Sequence, residues 1–63
     1  MKVERTRDNV FAVTATSQEL SALVAAARMA VDAMRDDPRA PADAIALLDR
    51  VLADYDAALA REE

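Results

Sequence analysis

Cysteine, histidine, tryptophan and glycine are all missing from the 63 residues, and tyrosine, phenylalanine and lysine occur once each. Without cysteine there is no disulfide framework, and without cysteine or histidine no thiolate or imidazole metal site and no Ser-His-Asp or Cys-His catalysis. The four hydroxyl side chains nearest a strand-to-helix boundary, Thr14, Thr16, Ser17 and Ser21, have no imidazole to activate them, and the lone Lys2 stands near a chain end where nothing buries it. The expectation is that the chain is not an enzyme and carries no cofactor or metal. Long apolar runs are also lacking: charged or polar residues interrupt every stretch, which argues against a membrane span or a signal h-region and for a cytoplasmic protein.

The length allows one domain, 1–63, and a domain of about 60 residues buries only about 60% of the surface its unfolded chain exposes. Packing alone must hold it, so a lone monomer is expected to be marginal. The formal net charge is -4, from 8 Lys+Arg against 12 Asp+Glu. Residues 1–10 carry three basic and two acidic side chains, leaving five basic and ten acidic ones beyond. That balance makes nucleic acid an unlikely general partner, because counterion release needs clustered Lys and Arg. Seven of the eight basic residues are Arg in an alanine-rich chain, which points to a GC-rich genome, bacterial or phage.

Residues 2–15 hold Val3, Thr6, Val10, Phe11, Val13 and Thr14, the densest β-forming stretch of the chain. Arg7-Asp8-Asn9 interrupts it, and Asn and Asp are the non-glycine residues that best tolerate a left-handed turn. A hairpin is expected, with about residues 2–6 paired to 10–15, Phe11, Val13 and Ala15 on one face and Val3 opposite them. A single strand starting near Val10 is the alternative. Thr16-Ser17-Gln18-Glu19 fits a capping box and places a helix start at Ser17. Good helix formers continue to Arg35, before Asp36-Asp37-Pro38 ends the helix, and Pro41 opens a second helix through about Arg61. The fold class is therefore α+β: a hairpin followed by an antiparallel two-helix hairpin, expected to be dimeric.

At about 100° per residue, Leu20, Leu23, Val24, Ala27, Val31 and Met34 form the main core stripe of the first helix. Its far side carries a second apolar stripe, Ala22, Ala26, Met29 and Ala33, leaving a polar strip of Ser21, Arg28, Asp32 and Arg35. The second helix is one-sided: Ile45, Leu48, Leu52, Tyr55 and Leu59 form its seam, widened by Ala44, Leu47, Val51 and Ala58. A helix apolar on two sides is usually covered on both. Ala22, Ala26, Met29 and Ala33 are accordingly the candidate surface for a second copy or a protein partner, since small residues permit close approach and Met adapts to irregular surfaces. Asp32, Asp36 and Asp37 lack the spacing and companion ligands of a hard-cation site and read as solvated carboxylates.

The strand–helix–helix order resembles the ribbon-helix-helix DNA-binding proteins, whose paired N-terminal strands enter the major groove. That resemblance covers element order only; the first helix is longer than that family's and DDPRAP replaces its glycine-containing turn. It implies an alternative function as a DNA-binding regulator or antitoxin, with Lys2, Arg5 and Arg7 as DNA contacts and Glu4 and Thr6 on the alternate face of the ribbon. The residues themselves favour a noncatalytic protein–protein interaction module, an accessory, adaptor or regulatory factor that self-associates or docks through its apolar helices.

Overall fold

A computed structural model describes residues 1–62 and contains four elements: β1 (Lys2–Arg7), β2 (Val10–Thr14), α1 (Ser17–Arg35) and α2 (Ala42–Glu62). The strands pair antiparallel within the chain, in the register Lys2↔Thr14, Val3↔Val13, Glu4↔Ala12, Arg5↔Phe11 and Arg7↔Val10. Residues 2–15 thus form an intrachain hairpin, one residue longer than expected on its first strand and one shorter on its second. Asp8-Asn9 makes the turn, and Asn9 takes φ 65°. This is the left-handed region that Asn tolerates because its short polar side chain can bond locally. The register shifts between Arg5 and Arg7, so Thr6 is the extra residue of a bulge, and its hydroxyl donates to the Val10 carbonyl at 3.3 Å.

The capping box is formed as the sequence predicts. Thr16 is extended at φ -68°, ψ 162°, and its Oγ1 accepts from the Glu19 N–H at 3.1 Å while Glu19 Oε1 accepts from the Thr16 N–H at 2.9 Å. The first intrahelical bond runs from the Leu20 N–H to the Thr16 carbonyl at 2.9 Å. At the other end Asp37 N–H donates to the Met34 carbonyl, and the Asp37 carboxylate accepts from the Arg39 N–H at 2.9 Å, folding the connection into a tight turn. Pro41 lies one position outside α2 rather than in its first turn. Its carbonyl accepts from Ile45 N–H at 3.3 Å, which is the cap's role.

The packing is sparser than the sequence pattern implies. Strand packs on strand and helix on helix, but neither strand packs against either helix among the described residues. Phe11 and Val13, which share one face of the hairpin, do not cover the main stripe of the first helix and are exposed. Ala15 and Thr16 alone join β2 to α1, and the Met1 ammonium reaches the Glu19 carboxylate at 3.0 Å, so the hairpin meets α1 only at its first turn.

Among the described residues only Val31, at 2% exposure, and Leu52, at 8%, are buried. Leu23, assigned to the core stripe by periodicity, is 52% exposed, and Leu47, Val51 and Leu59 of the second seam are exposed as well. The radius of gyration is 13.4 Å and the extents are 35 × 30 × 19 Å. A compact chain of this length has a radius of gyration of roughly 11 Å. The accessible surface is 5261 Å². A compact monomer of this mass exposes about 4,000 Å², so roughly 1,300 Å² more lies open than a self-sufficient fold leaves.

Candidate interaction surface

The two helices run antiparallel, as two ion pairs across their interface require. Arg28 reaches Asp56 at 2.6 Å, and Arg35, one face further along α1, reaches Asp49 earlier in α2. Arg35 also stands 3.7 Å from Asp32. Arg28, Asp56, Arg35 and Asp49 are about half exposed and Asp32 more so, so each pair contributes only a few tenths to about 1 kcal/mol. Their larger effect is geometric, because they set a polar rim around an open concavity on one side of the helical layer, with Val31 and Leu52 in its lining.

No such rim exists on the other side. Taking Val31 and Leu52 as the centres of contact, a turn of about 100° per residue puts Arg28 and Arg35 on one flank of α1 and Leu23 and Ala30 on the opposite flank. In the antiparallel partner, Asp49 and Asp56 fall on the first side and Val51, Leu47 and Ala58 on the second. The layer therefore has a charged side and an apolar side. Toward the α1 N-terminus the apolar side forms a shallow recess lined by Leu20, Tyr55, Ala58, Leu59 and Glu62. Sequence periodicity missed the division because it assigns Leu23 and Val51 to stripes without knowing how far one neighbouring helix can reach around them.

The four residues singled out by sequence, Ala22, Ala26, Met29 and Ala33, are all exposed, and Met29 is 73% accessible. They lie on the side of α1 that faces away from α2, next to Leu23, so the structure leaves the second stripe uncovered. The hairpin adds a further apolar face. Directly paired residues share a face of a sheet, which puts Val3 and Val13 together with Arg5 and Phe11, and the Arg5 guanidinium lies 4.7 Å from the centroid of the Phe11 ring.

The alternative DNA contacts are placed differently from the expected grouping. Lys2 shares a face with Glu4, Ala12 and Thr14, whereas Arg5 is on the opposite face with Val3, because alternate residues of a strand point to opposite sides. Lys2 pairs with Glu4 at 3.0 Å, Arg5 stacks on Phe11, and Arg7 lies beyond the bulge opposite Val10. The three cations do not form one contiguous surface.

The Glu19 carboxylate links the chain's first residue to the cap of α1. The backbone N–H of Thr16, the N-terminal ammonium at 3.0 Å and the Thr16 hydroxyl hold its carboxyl below the ordinary glutamate value. Of the other carboxylates, Asp32 faces Arg35, and Asp37 accepts from Arg39 Nε at 3.3 Å. Among the described residues no three acidic groups come close enough to hold a metal ion, and no helix is long and apolar enough to cross a membrane. Comparison with protein-family models, with curated proteins and with solved structures finds no match for this chain.

Proposed function

We propose that this protein is a noncatalytic interaction module that self-associates through its apolar surfaces, serving as an accessory, adaptor or regulatory factor of a bacterium or phage. One observation carries the reading: a chain with two buried side chains among its described residues leaves roughly 1,300 Å² more surface open than a monomer of its mass should. Standard interfaces take about 800 Å² from each partner and obligate dimers about 1,000 Å² or more, so the excess matches what one copy gives up in an obligate dimer. Two apolar surfaces are available, the Ala22–Ala26–Met29–Ala33 stripe and the Leu23–Val51 side of the helical layer. Helices interrupted by charge suit an aqueous compartment, and we place the work of the protein in the cytoplasm.

DNA binding is the weaker proposal. Lys2, Arg5 and Arg7 are divided between the hairpin's faces, Lys2 is engaged by Glu4 and Arg5 by Phe11, and the two strands pair with each other within one chain.

Sedimentation of the purified chain across micromolar to millimolar concentrations tests self-association. A dimer whose melting temperature rises with concentration is expected. A concentration-independent monomer with a high melting temperature would refute it.

A further inference from the structure

Resting on the self-association proposed above, we infer that the Val3–Phe11–Val13 face of the hairpin seats on the Leu23–Val51 side of the helical layer of a second copy, with the same contact made in return. The hairpin does not cover its own helices, and Val3, Phe11 and Val13 stay exposed. An uncovered two-stranded hairpin is marginal in water, so the fold needs something on that face. The helical layer has the complementary need, because its Arg–Asp rim lines only one side.

Area selects this arrangement over a contact between helices alone. The Ala22–Ala26–Met29–Ala33 stripe offers three methyl groups and one thioether, too little to account for the open surface, and it would leave Val3, Phe11 and Val13 bare. Charge agrees. Arg5 is the one charged side chain on the apolar face of the hairpin, and Glu62 lines the recess on the apolar side of the helical layer. Symmetry then fixes the stoichiometry. Hairpin on helices, returned about a two-fold axis, closes at two copies and leaves neither face repeated in an open chain.

The absence of cysteine makes the contact testable by crosslinking, because any thiol present has been introduced. Val13→Cys and Val51→Cys, made in separate full-length chains, are mixed, allowed to exchange and oxidised, with Met29→Cys carried in parallel. The expected product is a mixed Val13-to-Val51 disulfide dimer that exceeds by at least about tenfold the disulfides formed by either variant alone. Dimers in sedimentation whose crosslinks run mainly between two copies of Met29→Cys or two of Val13→Cys, or that yield no disulfide in the mixture, would overturn this arrangement and leave self-association standing. Monomers at every concentration would overturn both. As a check independent of thiols, Val13→Asp should raise the dimer dissociation constant at least about tenfold with helicity retained; an unchanged constant would overturn the proposed contact.

Discussion

Val31→Ala is the substitution that most directly probes how this chain is held together. Val31 is the most buried side chain, set at mid-length in α1 beneath the Arg28–Asp56 and Arg35–Asp49 pairs and beside Leu52. Removing the equivalent of two methylene groups forfeits about 1.5 kcal/mol of transfer energy, at roughly 0.8 kcal/mol per group. A cavity in a rigid core would add to that. Here the helical layer is one helix thick on each side, so the gap can close by small helix shifts and the cavity contribution stays below about 1 kcal/mol. Alanine returns about 0.5 kcal/mol through its higher helix propensity. The net expectation is a loss of about 1–2 kcal/mol, a large share of the roughly 3–9 kcal/mol that a domain of this size possesses. Each kcal/mol moves the melting temperature of so small a chain by about 4–8 °C, so a fall of about 5–15 °C should be seen by far-UV circular dichroism. Wild type and variant must be compared at equal chain concentration, because assembly couples stability to concentration. Ser21→Ala, exposed on the same helix, serves as the control and should change stability by less than about 0.5 kcal/mol. A Val31→Ala loss as small as that of the control would show that the α1–α2 contact does not anchor the fold.

Thr16→Ala removes the acceptor of the Glu19 N–H and should cost on the order of 1 kcal/mol, read as a lower denaturation midpoint with unchanged denaturant dependence. Because the carboxyl of Glu19 titrates lower in the folded chain than in the unfolded one, its stabilising contribution is complete above the ordinary value of 4.5 and disappears as pH falls through the lower folded value. Melts of Glu19→Gln between neutral pH and pH 3 should therefore show a shallower acid-side decline than wild type, and parallel curves would remove Glu19 from the acid response. Replacing Lys2, Arg5 and Arg7 together with Gln should leave sedimentation and helicity largely intact, and wild type should bind duplex DNA no tighter than about 10⁻⁵ M at physiological salt. A sequence-specific gel shift at nanomolar protein, lost in the triple variant, would establish the DNA-binding alternative instead.

Local chemistry made the elements legible in the sequence. Thr16 and Glu19 satisfy each other's backbone N–H groups through contacts only three residues apart, so the start of α1 at Ser17 could be read without any knowledge of tertiary structure. Asp8-Asn9 likewise marked the turn, since tolerance of a left-handed backbone belongs to the residue itself. Periodicity identified most of the large apolar side chains that want cover, including Leu23, Phe11, Val51 and Met29. It could not say which of them receive cover from the chain's own elements, because burial depends on how far the neighbouring element reaches and from which direction. That was settled by the tertiary structure. The hairpin does not pack along α1, the Arg–Asp pairs line one side of the two-helix layer, and among the described residues only Val31 and Leu52 end up inside. The faces of Leu23, Val51, Val3, Phe11 and Val13 stay exposed, because no other element of the chain reaches them.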